Sequence, residues 1–278
     1  MALGLLAFLL GCLILYALIK SYKSEQLSHT STRPHSASLP LLPEWKAIIQ
    51  THVPVVAKMP RNRRAELYCL TMRFLTEKAF VGRNGLQIND TIAVTIASQA
   101  CLLLLGREHA FYPTLEEIHV YPSAFSQAGY DDLLVGASYA SGPVVLSWDY
   151  SCLGLVHPYD GHNVVLHEFA HQLDQETGLY NGTPIFEDYE RYALWQSAMK
   201  TGFRRLRQLI AVKQETVINP YGASGLEEYF AVCTEAFFEV PKALRGAYPR
   251  VYEQLCDCLL YTSPSPRDAT LSRMPSSA

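Results

Sequence analysis

The stretch VVLHEFAHQLD, residues 164–174, places His167, Glu168 and His171 within five residues of an otherwise apolar run. On a helix, residues four apart share a face and lie about 6 Å apart along the axis. His167 and His171 can therefore aim one ring nitrogen each at a common ion. Glu168 sits one step round the helix, too far to ligate comfortably, yet able to reach a water on that ion. This is the mechanical content of the His-Glu-x-x-His pattern. A bare match to it often arises by chance. Here two imidazoles and a carboxylate in an apolar helix would be costly to bury unpaired, so a compensating partner is expected. Asp174, three residues after His171 on the same face, can accept from the second nitrogen of a ligating ring or brace the site from behind.

A catalytic zinc needs a third protein ligand and keeps one position open for water. Candidates lie downstream, in NPYGASGLEEYFAVCTEAFFEVP, residues 219–241. Glu227, Glu228 and Glu235 are acids on an otherwise apolar helix. Glu228 and Glu235 are seven apart and share a face, whereas Glu227 points elsewhere, toward solvent. Glu235 has a plainer reading as a salt-bridge partner. Tyr221 precedes the helix in a Gly-containing turn, where a phenol can hydrogen-bond the oxyanion of a tetrahedral intermediate.

The elements that must hold these residues are mainly helices. PEWKAIIQ (43–50), RNRRAELYCLTMRFLTEKAFV (61–81) and INDTIAVTIASQACLLLLG (88–106) carry helical apolar spacing, and Asn89 or Asp90 can cap the third. IHVYP (118–122) reads as a short strand, and the Gly-punctuated alternation of 130–152 suggests one or two more. Asn163 is placed to cap the helix carrying His167, and Gly178 to end it. Residues 186–217 read as one or two helices, 226–240 as a helix stopped by Pro241, and YPRVYEQLCDC as the start of another. Helices bracketing a small strand region give an α+β class. His157 and His162 read as solvated loop residues, and Trp45, Trp148 and Trp195 as packing.

Composition fits one globular domain. The 278-residue chain is 49% hydrophobic and 18% charged, with a net charge of −3. That balance gives no reason to expect direct nucleic-acid binding. Seven scattered cysteines read as reduced, buried thiols of a cytosolic domain rather than a disulfide framework.

The two ends differ from the middle. Residues 2–19 carry no charge, and at about 1.5 Å per residue they reach roughly 27 Å, just enough to cross a bilayer. A secretory signal, a lipoprotein signal at Cys12 and an uncleaved anchor compete. Basic residues are missing before the run, the apolar stretch continues past Cys12, and Lys20 and Lys23 follow it directly. Anchor residues 1–23 and a single-pass bacterial inner-membrane protein with a cytoplasmic catalytic domain are therefore expected, a wholly cytoplasmic chain being the alternative. Residues 24–42 have a linker composition, and residues 43–258 hold the catalytic domain. Residues 259–278, rich in Ser and Pro, read as a disordered, non-native tail.

HEFAHQLD, then YGASGLEEYFAV, FFEVP and YPRVYEQL, with SQACLLLLG and IHVYPSAF upstream, together resemble the MtfA (Mlc titration factor A) family of zinc-dependent peptidases. The Tyr-Gly to Glu spacing is also similar to that of the anthrax lethal factor protease domain. The family resemblance covers residues 43–257. It implies a zincin-like, mostly helical fold with a small sheet. One Zn2+ per chain would be held by His167, His171 and Glu228, with Glu168 as general base and Tyr221 as electrophilic phenol. Asp174 and Glu235 carry over only as supporting residues behind the ligands. The resemblance further implies a peptide or protein substrate, with weak aminopeptidase-type activity on small substrates. It leaves a second function open, capture of a transcriptional repressor of sugar uptake, with proteolysis secondary. A third, a zinc-stabilised domain without turnover, lacks a cysteine near the helix to close the site. The chain departs from the family in its apolar N-terminal run and after Cys256.

Overall fold

The computed structural model describes residues 41–107, 111–127, 132–186 and 188–259. The expected anchor, most of the linker and nearly all of the expected tail lie outside these residues. Among the described residues, no helix is long and apolar enough to cross a membrane. Among the described residues, Leu41 is 4% exposed and Leu259 is fully buried.

In chain order the first helices are α1 (Pro43–His52), α2 (Arg61–Glu77) and α3 (Asp90–Leu102), with the strand β1 (Ala79–Gly82) between α2 and α3. Helix α3 is buried on nearly every side from Ile92 to Leu102. A helix apolar all round belongs in a core, and α3 packs against α1, α2 and the metal-site helix. Asn89 caps it by accepting from the Ile92 amide at 3.0 Å, while Asp90 accepts from the Trp45 indole at 2.8 Å.

Strands β2 (Glu117–Tyr121), β3 (Gly136–Ser138) and β4 (Val144–Ser147) complete a four-stranded sheet ordered β1-β2-β4-β3. The first three neighbours run parallel, and β3 pairs antiparallel with β4 at one edge. Ile118 and Val120 pair in register with Val144 and Leu146, and all four are fully buried. The alternate residues of β2, Glu117, His119 and Tyr121, are more open, the period-2 alternation of a sheet covered on one face. Helices α4 (Trp148–Val156), α5 (Val164–Gln175), α6 (Tyr189–Ala211), α7 (Leu226–Glu239), α8 (Pro241–Ala247) and α9 (Pro249–Leu259) follow. The class is α+β, mostly helical, as the element pattern implies.

Two expected elements differ. The helical stripe from residue 61 does not continue to Val81. It stops at Glu77, where the Lys78 ammonium donates to the carbonyls of Tyr112 and Leu115 at 2.8 Å each, and the chain turns into β1 beside β2. The alternation of 130–152 ends at Ser147, which caps α4, so Trp148–Val156 is helix rather than strand. Residues 186–217 give one helix, α6, and Trp195 on it is fully buried, donating to the Gly182 carbonyl at 3.0 Å.

Candidate metal centre

Helix α5 starts where Asn163 accepts from the Leu166 amide at 3.1 Å, satisfying one of the unpaired N–H groups of the first turn. It ends at Gln175, and Gly178 takes the left-handed turn beyond it at φ +72°. Its underside is anchored by Phe169, fully buried, whose ring lies 5.8 Å from Phe74 and 5.1 Å from Tyr112. The opposite face carries His167 and His171, rings edge to face at 4.9 Å, with their Nε2 atoms 3.2 Å apart.

Helix α7 packs against α5. From its first turn Glu228 places Oε2 3.0 Å from His167 Nε2 and 3.4 Å from His171 Nε2. Three donor atoms bound about 2.1 Å from a tetrahedral ion lie roughly 3.4 Å from one another. The observed spacings of 3.0, 3.2 and 3.4 Å match that triangle, and two imidazoles with one carboxylate are a zinc-type donor set. These three are also the one His/Cys/Asp/Glu group among the described residues whose ligand atoms all fall within 4.8 Å of one another. The residues present therefore fit a bound metal.

Glu235, two turns along α7, faces the other side of His167, its Oε1 2.8 Å from Nδ1. A carboxylate there holds the proton on Nδ1 and turns Nε2 toward the ligand triangle. Glu235 Oε2 accepts from the Asn163 amide at 2.5 Å, which ties α7 to the start of α5. Asp174, expected to accept from a ligand ring or to brace the site from behind, has its Oδ1 engaged by a loop. The chain folds back after α5, and the amides of Asn181 and Thr183, with no helical acceptor, donate to Asp174 Oδ1 at 3.2 and 2.8 Å.

Electrostatics at the site favour a cation. Burial pulls the His167 imidazole down, but hydrogen bonds to Glu228 and Glu235 outweigh it and hold the ring well above its usual value. Burial pushes Glu228 up, and the two histidines outweigh that, holding it at about 2. Glu168, next to His167 on α5, is 6% exposed. Burial raises its carboxyl, against the pull of His167 and His171. It lies against Gly136 of β3, where a Cβ would come within 2.4 Å of Glu168 Oε1.

Tyr221 sits in the 3-10 turn Pro220–Ala223, where Asn219 Oδ1 accepts from its amide at 2.9 Å. Its ring lies 6.2 Å from that of His167 and is 57% exposed at the rim. His162, exposed, lies 3.1 Å from the Asn219 amide nitrogen, and His157 is exposed at the end of α4.

Three supporting residues, Gln99, Glu239 and Gly136, went unread in the sequence. Asn163 donates from Nδ2 to Gln99 Oε1 at 2.8 Å and to Glu239 Oε1 at 3.0 Å. Glu239 Oε2 accepts from the Gly161 and His162 amides, each at 3.0 Å. Its signal was available: Glu239 follows Glu235 by four on the same apolar helix. Gly136 carried none, since only the fold brings β3 to Glu168.

Comparison with known proteins points to a metallo-peptidase. The profile of the glucose-regulated metallo-peptidase M90 family matches residues 27–259. An uncharacterized protein of Synechocystis sp. is 37% identical over 228 residues, covering 78% of this chain and 83% of its own. Mlc titration factor A of Cronobacter sakazakii is 28% identical over 238 residues, 80% of this chain and 87% of that protein. The Escherichia coli O1:K1 protein of the same name is 28% identical over 238 residues, covering 80% and 86%. With the family profile spanning most of its length, this chain belongs to the M90 metallo-peptidase family, that of the Mlc titration factor A proteins.

Proposed function

We propose that the chain is a zinc-dependent peptidase in which His167, His171 and Glu228 hold the ion and Glu168 is the general base. The observation that carries this reading is the 3.0–3.4 Å triangle of donor atoms with a buried carboxyl beside it. Zinc in such a set supplies Lewis acidity, polarising a peptide carbonyl and making water a nucleophile near neutral pH. Glu168 accepts the proton of the attacking water and returns it to the leaving amine. Its burial favours this, because a carboxyl raised from its usual range is a stronger base. Glu235 keeps His167 in the tautomer that presents Nε2. The Tyr221 phenol, at the rim, donates to the developing oxyanion. Aminopeptidase-type action on small peptides is the finer form of this reading.

Glu168→Gln tests it. The variant keeps its metal and loses nearly all peptide hydrolysis, read by metal analysis and a peptide cleavage assay. Turnover at the wild-type rate removes Glu168 from the mechanism. The relatives' name, Mlc titration factor A, favours a second reading for this chain, capture of a repressor protein. Partner binding that survives Glu168→Gln would separate that role from hydrolysis.

A further inference from the structure

Behind the metal centre, on the side of α5 where Asn163 starts the helix, lies a half-enclosed cavity of about 400 Å³. Its walls are largely apolar, with Val53, Leu102, Leu166 and Phe238 among them and Pro54 and Pro241 beside them. Proline fixes its own φ, so such walls need little ordering when a ligand enters. Asn163, Gln99 and Glu239 in the wall are engaged with one another, and His52, also in the wall, has its Nδ1 2.8 Å from Thr95 Oγ1. Asn163 Nδ2 donates to Gln99 and Glu239, and both oxygens of Glu239 accept backbone or side-chain N–H groups. The cations at the cavity are Lys58 and Lys242, both exposed and lining it. Lys58 Nζ stands 5.1 Å from the centroid of the Tyr159 ring, which also lines the cavity.

We propose that this cavity is a second ligand site, taking a single-chain organic carboxylate whose tail fills the aliphatic walls and whose head meets Lys58 and Lys242. Volume, wall chemistry and rim charge select the class. A cavity of about 400 Å³ is within the range of small-molecule sites and suits a medium-length acyl chain with its head. Aliphatic and proline walls suit a flexible chain better than a flat polar ring.

The site is wired to the metal centre. Asn163 and Glu239 form part of the cavity wall, and the Asn163 amide donates to Glu235, which in turn holds His167 Nδ1. An occupant that shifts Asn163 therefore shifts the orienter of a proposed metal ligand. By linkage, zinc and carboxylate must change each other's affinity by the same factor. This coupling rests on the zinc reading above, while binding of the carboxylate does not.

The test is calorimetric titration of decanoate into the full chain, metal-free and zinc-loaded, with decyltrimethylammonium as the control of equal tail and opposite charge. One decanoate per chain is expected, with at least about tenfold weaker binding in the Lys58→Glu/Lys242→Glu variant and in Val55→Trp, which fills the cavity. Both lysines are exposed, so their replacement leaves the core intact. Equal binding of the cationic control, or undiminished binding in both variants, overturns the site. With zinc, the decanoate Kd is expected to move by about fivefold or more. An unchanged Kd in a zinc-loaded chain overturns the coupling and leaves the site. Decanoate binding in a chain that takes up no zinc overturns the metal reading instead.

Discussion

A single hydrogen at position 136 decides where the proposed base sits. Gly136 lies against Glu168, and a Cβ would come within 2.4 Å of Oε1 and 2.8 Å of Cγ. Gly136→Ala must therefore displace the Glu168 carboxyl, together with Val164, whose Cγ2 the added Cβ would meet at 2.8 Å. Displacements of about 1 Å at a reacting group cost up to roughly 10²-fold. The expected outcome is a fall in kcat of about that size, with zinc content unchanged. A normal kcat would mean that Glu168 tolerates the shift or plays no part. The histidine pair was legible at this scale because helical period alone puts residues four apart on one face. The bracing acids were harder to sort. Asp174 and Glu235 both sit at helical spacing from the site, but only the fold shows that a returning loop claims Asp174 and that α7 delivers Glu235 to His167.

Helix α5 carries the site on one face and is held by the other. Phe169 is fully buried among Phe74 of α2 and Tyr112. Phe169→Ala leaves a cavity under the ligand helix and is expected to destabilise the protein by about 3–5 kcal/mol. Denaturant unfolding checks this, and a loss below about 1 kcal/mol would show that the site helix is held by other contacts. Capping was legible at this scale, since Asn89 and Asn163 both carry out the roles their positions suggest. The boundary at Lys78 was not, because helical period runs on past Glu77 while strand pairing with distant β2 competes for the same residues. Nor was α4, whose apolar residues continue the alternation of β4.

Across the molecule, burial sorts the cysteines. Cys101 and Cys233 are fully buried, and burial pushes both thiols up, further from reactive thiolate. Cys69 is exposed, and all six described cysteines are free. The raised pKa keeps the buried pair protonated from neutral into alkaline pH. Iodoacetamide at pH 8 is therefore expected to label Cys69 quickly, and Cys101 and Cys233 only after unfolding. Rapid labelling of the buried pair in the native protein would contradict the packing of α3 and α7. The reduced-thiol reading followed from scattered spacing, whereas Cys69, the exposed thiol among the described residues, departs from the expected burial, because Leu67, Cys69 and Leu70 look alike until α2 is packed.

The central claim is that His167, His171 and Glu228 form one metal site. Zinc per chain, measured on wild type and Glu228→Ala, tests it most directly. About one zinc in the wild type and a large loss in the variant is the predicted result. A wild-type chain that takes up no zinc, or a variant that retains it fully, would contradict the account.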